Sequence, residues 1–173
     1  MRKHLTRSDY AKKPWKNGRG FTEEIFVYPN DHFLFRISMA ALTTSGPFSS
    51  YPGIDRTLVI LEGEPVSLNG RELPLMTPFS FSGDQSIHAG IEAPGRDFNL
   101  MCRRDEVKGK LFVGESNLEM NLGGNFFAVF SAEEKMMAGE TELKLYETLL
   151  LDKTETGTLS LNGSRFIVIE VTY

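Results

Sequence analysis

Residues 57–61 read TLVIL, an unbroken run of β-branched and aliphatic side chains. Five such residues make a strand, and a strand apolar at every position is buried on both faces. The segment ahead of it, GPFSSYPGIDR, opens as a loop: Gly46-Pro47 and Pro52-Gly53 are turn pairs. Asp55 and Arg56 stand at the strand's entrance. Desolvating a lone charge is costly. Arg56 is therefore either paired inside the fold or held ready for an anion.

The same strand signature recurs along the chain. Short apolar runs lie at 24–28, 33–41, 57–61, 78–81, 98–102, 110–113, 125–130, 143–151 and 164–171, separated by Gly, Pro, Asn and Asp. Many short strands with frequent turns predict a sandwich or barrel. One short helix is expected at 131–138, where Ser131 and Glu134 have capping-box spacing and Gly139 follows. The sequence also echoes itself. TLVIL leads into VSLNG ending at Gly70, and TLLL at 148–151 leads into LSLNG ending at Gly163. Asn-Gly is a favoured two-residue hairpin turn. The echo reads either as two unrelated hairpins or as a duplicated β-unit with one copy in each half.

With 173 residues, 40% of them apolar, the chain fits one compact body with a real core. A net charge of -4 argues against nucleic acid as a partner. No run of about 18 apolar residues exists, so no membrane span is expected. The basic N-terminus, MRKHLTRSDYAKKPWKNG, has no apolar stretch behind its charges and is not a secretory signal. Cys102 is the single cysteine, which excludes an internal disulfide and agrees with a reducing, cytoplasmic location.

His4, His32 and His88 are scattered, with no His-x-His, Cys-x-x-Cys or His-Glu-x-x-His spacing. No metal or other cofactor is therefore expected. Phosphate-loop, dinucleotide and serine-elbow motifs are absent as well. Cys102 reads as a buried, inert thiol.

Four polar clusters remain. KPWKNGRG at 13–20 joins Trp15 and Asn17 to three cations and two glycines; it is either an anion-binding arm or a basic arm capped by Trp15. In FRIS at 35–38, alternation puts Arg36 and Ser38 on one strand face. Arg36 then points into a polar cavity or meets a carboxylate. The third cluster is Ser49, Ser50, Tyr51, Asp55 and Arg56. In the fourth, at 97–104, Asp97, Asn99, Met101 and Arg103 share one face, away from Phe98, Leu100 and Cys102. Asp97 could pair structurally with Arg36 or Arg56, touch a ligand, or do both.

KPWKNGRGFTEEI, FRIS, GPFSSYPGIDRTLVILEG, FSFSGD and GRDFNLMCRR occur in that order over residues 13–104. In this the chain resembles the HutD/Ves family of cupin-like proteins. Arg19 stands where a glycine is more usual, and Phe35 replaces a commoner tryptophan. The resemblance implies two packed cupin-type β-barrels with little helix. The expected division is a motif-bearing part over about 1–108 and a second β-lobe over about 109–173, with strand exchange between them left open. It also implies a regulator that limits histidine utilisation by binding a small carboxylate such as urocanate or a formyl- or formimino-glutamate. The metal chemistry of histidine-rich cupins is not carried over.

The leading expectation is therefore a non-enzymatic binder of a small anionic metabolite. Arg56 clamps the carboxylate. Arg36, Asn17, Asn99 and Ser49 add polar contacts, Trp15 and Phe48 supply apolar walls, and Asp97 orients an arginine. A metal-independent enzyme acting on a small organic acid, with Asp55, Asp97 and Lys16 as acid and base, is the alternative. A third reading is an interaction protein that forms a homodimer through exposed strand edges.

Overall fold

In the computed structural model the chain is almost wholly β: nineteen strands among the described residues and one 3-10 turn, Arg7–Asp9. The structure describes residues 1–15, 20–29, 32–123 and 125–173. The chain divides into two compact units, Ala11–Val107 and Met1–Tyr10 together with Lys108–Tyr173. The first strand, β1 (Arg2–Leu5), thus belongs with the later part of the chain.

The unit Ala11–Val107 contains β2 (Ala11–Pro14), β3 (Phe21–Tyr28), β4 (Phe35–Leu42), β5 (Gly46–Pro47), β6 (Ile54–Glu62), β7 (Val66–Leu68), β8 (Arg71–Leu73), β9 (Phe79–Ser82), β10 (His88–Gly90) and β11 (Gly95–Arg103). Six strands form one sheet in the order β2-β3-β4-β11-β6-β9, and four form another in the order β5-β10-β7-β8. The core draws on both sheets: Leu42, Leu58, Ile60 and Phe81 from the larger, Val66, Leu68, Leu73 and Ala89 from the smaller. The face of the larger sheet that carries Leu58 and Ile60 is therefore its inner face. Leu58 through Leu61 are all buried and Thr57 is half-buried, so residues 57–61 lie in a strand covered on both sides from Leu58 onward. Full burial of one such side chain is worth about 1.5–3 kcal/mol.

The other unit holds β12 (Lys108–Gly114), β13 (Leu118–Gly123), β14 (Phe126–Ser131), β15 (Lys135–Ala138), β16 (Thr141–Lys144), β17 (Thr148–Leu151), β18 (Thr156–Asn162) and β19 (Phe166–Thr172). Its sheets run β1-β17-β14-β19-β12 and β13-β18-β15-β16. Val129, Leu143, Leu151, Leu161 and Phe166 fill its interior. Among the described residues each unit thus holds two separately hydrogen-bonded sheets, and no closed barrel.

Two local expectations fail. Residues 131–138 are no helix: β14 ends at Ser131 and β15 begins at Lys135. Met136 and Ala138 are buried while Lys135 is exposed, a period of two that defines a strand. Ser131 spends its hydroxyl on the Glu133 carbonyl, at 2.9 Å. The second difference concerns the echo. Asn69 and Gly70 have φ of 50° and 82°, as a tight β7–β8 hairpin requires. Asn162-Gly163 makes no hairpin, because β18 pairs with β13 and β15 whereas β19 pairs with β12 and β14. Gly163 is needed for close approach instead: a Cβ there would lie 2.5 Å from Glu133 Oε1.

Candidate functional site

The inner face of the six-stranded sheet is apolar at one end and polar at the other. Register produces this. Arg56 on β6 lies opposite Met101 on β11, which lies opposite Arg36 on β4. One step along, Leu58, Asn99, Ser38 and Glu24 form the next row on the same face. Beyond it stand Ile60, Asp97, Ala40 and Thr22. Four segments distant in sequence thus place two arginines, two carboxylates and an asparagine on one sheet.

Arg56 is buried, at 6% exposure. Its Nη2 donates to Asn99 Oδ1 at 2.9 Å and its Nη1 to the Ser49 carbonyl at 3.3 Å. The rings of Phe81, Phe48 and Tyr51 lie 4.9, 5.5 and 5.5 Å from its guanidinium carbon. Its Nε is buried without a hydrogen-bond partner. Burial lowers the guanidinium pKa from its ordinary value, and nearby Asp97 and Tyr51 act against that shift.

Arg36 repeats the arrangement. Its Nη2 meets Met101 Sδ at 3.1 Å, its Nη1 stands 3.7 Å from Glu24 Oε1, and its Nε is also buried and unpartnered. Phe33 and Tyr51 flank it at 5.5 and 5.4 Å. The Tyr51 ring therefore touches both guanidinium groups. Two strand spacings put the arginine Cα atoms roughly 10 Å apart.

Asp97 is 4% exposed. Its carboxylate accepts from the Ala40 amide at 3.1 Å and from the Asn99 side chain. Burial pushes its pKa up to about 6, against the pull of Arg56, the Asn99 and Ala40 hydrogen bonds, and Arg96. Asn99 is thus the link: its oxygen accepts a hydrogen bond from Arg56 and its amide turns to Asp97.

The other expected residues distribute unevenly. Phe48 lies against Arg56. Ser49 is exposed and contributes its carbonyl, not its hydroxyl. Trp15 donates from Nε1 to Thr22 Oγ1 at 3.0 Å, and its ring covers Gly20, where a Cβ would sit 3.0 Å from the indole. Asn17 and Lys16 lie outside the described residues. Asp55 falls on the opposite sheet face, in the row of Cys102 and Phe35, and pairs with Arg104 at 2.8 Å. Burial pushes the Cys102 thiol up to about 12, which leaves it protonated. Sequence reasoning set Tyr51 in the third polar cluster and Met101 on the polar face of the fourth without giving either a ligand contact, and it gave Phe33, Phe81 and Glu24 no part in the site. Alternation along β3 could have found Glu24; the aromatic contacts arise from loop and cross-strand geometry.

The loop that carries Phe48, Ser49 and Tyr51 is held by backbone bonds. Phe48 N donates to Ile87 O at 2.8 Å, Tyr51 N to Gly83 O at 2.9 Å, and Gly83 N to Ile54 O at 2.7 Å. Among the described residues, no three His, Cys, Asp or Glu side chains gather as a metal-ligand set.

Solved structures share this architecture. The nickel(II)-bound pirin YhhW of Escherichia coli superposes with a TM-score of 0.71 at 9% identity, over 98% of both chains. A likeness at that identity concerns the fold alone, which is all-β and cupin-like. The chain belongs to the HutD family, whose model matches residues 7–169. HutD of Pseudomonas fluorescens SBW25, solved in a formate condition, gives a TM-score of 0.89 at 28% identity, covering 99% of this chain and 98% of that one. A 21.2 kDa Pseudomonas putida protein named for the hutC 3' region is 35% identical, over 96% of this chain and 95% of that protein. Protein Ves of Citrobacter koseri is 34% identical over 72% of each chain. Membership of this family fits a role related to histidine utilisation.

Proposed function

We propose that the chain is a non-enzymatic binder of a small carboxylate metabolite, held by Arg56 and Arg36 on the inner face of the six-stranded sheet. The observation that carries this reading is the pair of buried, unpartnered Nε atoms on two arginines that share one tyrosine ring. Buried donors without acceptors are costly, and a carboxylate supplies two acceptors in the spacing a guanidinium presents. Phe48 and Trp15 provide the apolar surface that small-ligand sites require. Each unit is read as a cupin-type barrel opened between its two sheets. The hutC-neighbouring relative supports a ligand from histidine breakdown, and we read the output as regulatory and cytoplasmic.

Calorimetry with formate, urocanate and formylglutamate against wild type and Arg56→Ala tests it. A charge-assisted hydrogen bond is worth about 1.5–3 kcal/mol, so the variant should bind about ten- to a hundredfold more weakly. Equal binding by both removes Arg56 from the site. The buried Asp97, with its raised pKa, favours a second reading, an acid–base enzyme without a metal. NMR of the same mixtures separates the two: binding without turnover supports the binder, and turnover the enzyme.

A further inference from the structure

We propose that the site takes up a small monocarboxylate together with one proton, and that the Asp97 carboxyl is where the proton goes. This rests on the binder reading above and adds to it a ligand class and a linkage to pH.

Charge accounting carries the inference. The polar end of the inner face holds two cations, Arg36 and Arg56, and two carboxylates, Glu24 and Asp97. It is neutral before any ligand enters. An anion placed on the free arginine donors leaves one negative charge in excess, in surroundings poor in water. Such an excess is removed more cheaply by a proton than by solvation.

Each neighbouring group either fails to relieve the charge or is already engaged. Glu24 on β3 is already engaged: it is paired with Arg36 at 3.7 Å and lies 3.9 Å from the exposed Lys13 of β2. Arg96, next to Asp97 on β11, is held by Glu23 at 3.0 Å and Glu62 at 3.1 Å. Tyr51 in the wall loop offers a ring face to both arginines. The smaller sheet faces this site with Val66, Leu68 and Ala89, which carry no charge, and His88 on β10 is exposed. Asp55 lies on the other sheet face, across from Cys102.

Asp97 is different. It makes no ion pair with Arg56; Asn99 stands between them. Its charge is held by the more distant fields of Arg56 and Arg96 and by two hydrogen-bond donors. A ligand carboxylate bound to Arg56 consumes the field of that arginine and raises the proton affinity of Asp97. The balance is simple: one carboxylate and one proton enter from solvent, no covalent bond of the ligand changes, and the site's net charge is unchanged. Asp97 also stands near the physiological range, with a pKa of about 6. A dianion brings a second charge that has no second acceptor for a proton, so the site selects monocarboxylates.

The test is calorimetry of formate binding to the intact protein, in MOPS and in imidazole buffer, from pH 6 to pH 8. Formate stays ionised throughout this range, so any proton exchange belongs to the protein. The heats should differ between buffers and report net uptake of up to one proton. The Kd should weaken on the order of tenfold for each pKa unit by which the ligand raises Asp97. Asp97→Asn should bind with no uptake and no pH dependence, and malonate should bind wild type more weakly than formate. Buffer-independent, pH-independent binding that Arg56→Ala still abolishes overturns proton uptake and leaves the binder reading intact. Tighter binding of malonate than of formate overturns the choice of monocarboxylates. No binding of formate, urocanate or formylglutamate by wild type overturns the binder reading, and this inference with it. The buffer comparison on wild type decides the matter even where Asp97→Asn fails to fold.

Discussion

Asn99 Oδ1 accepts from Arg56 Nη2 at 2.9 Å while the amide of the same side chain serves Asp97, so one asparagine holds a buried cation and a buried acid apart. A direct pair would satisfy both charges and leave little for a ligand. The intervening amide keeps Arg56 fixed and its Nε free.

Replacing Asn99 by leucine should therefore destabilise the fold even though the side chain keeps its approximate shape. Arg56 Nη2 and the Asp97 carboxyl both lose a partner. Each unsatisfied buried group costs about 1–3 kcal/mol. Urea denaturation should show a lower midpoint with an unchanged slope. An unaltered midpoint would mean that Asn99 bears no such role.

Asp97 gives stability a definite pH dependence. Its folded pKa of about 6 lies above the ordinary aspartate value of 3.8. The folded state then binds more protons than the unfolded state in that window, so this group's contribution falls as pH rises from about 4 to about 6. Asp152, whose pKa is lowered to about 2 by the Met1 amine and Thr154, acts in the opposite sense at lower pH. Comparison with Asp97→Asn cancels such background groups. The difference in Tm between variant and wild type should shift in favour of the variant across about pH 4 to 6.5. A constant difference would place the carboxyl's pKa near its ordinary value.

Gly83→Ala should disturb the wall of the site from outside it. A Cβ there collides with the Tyr51 carbonyl and stands 2.7 Å from the Ile54 carbonyl. Both are backbone atoms, so the 51–54 turn must move. Overpacking of this kind costs about 1–3 kcal/mol, and it should weaken carboxylate binding as well as lower Tm. Retained affinity would show that Tyr51 does not shape the site.

Tyr51→Leu removes the ring that both arginines share. Each cation–π contact contributes about 0.5–2 kcal/mol. Calorimetry should find binding weaker by roughly tenfold. Tyr51→Phe keeps the ring face and should retain wild-type affinity. Loss in both variants would instead assign the role to the hydroxyl.

Much of this arrangement is legible in the order of residues alone. Alternation places Arg36 with Ser38, and Asp97 with Asn99 and Met101, and the strands keep those pairings on one face. The burial of residues 57–61 follows from their composition. What alternation leaves open is which strands become neighbours. The row Arg56–Met101–Arg36 depends on β11 lying between β4 and β6, an order set by tertiary packing. Asp55 shows the limit most clearly. It adjoins Arg56 in sequence and reads as part of the same cluster, yet the pleat sends it to the other face, where it pairs with Arg104. Residues 131–138 mislead for a related reason: a capping-box spacing is also compatible with a turn between two strands when the apolar positions repeat every second residue.

The membership of β1 has a consequence for biosynthesis. Arg2 pairs with Leu151 and Leu5 with Thr148. A ribosome that releases the chain from its N-terminus exposes β1 long before its partner exists. Ala11–Val107 is contiguous, so it completes its own contacts while β1 still waits. The other unit closes only after β17 has emerged, by capture of a strand made long before it. Such long-range pairing is slow, and an unpaired strand is exposed to aggregation while it lasts. A strand made well before its partner is therefore among the last to be placed.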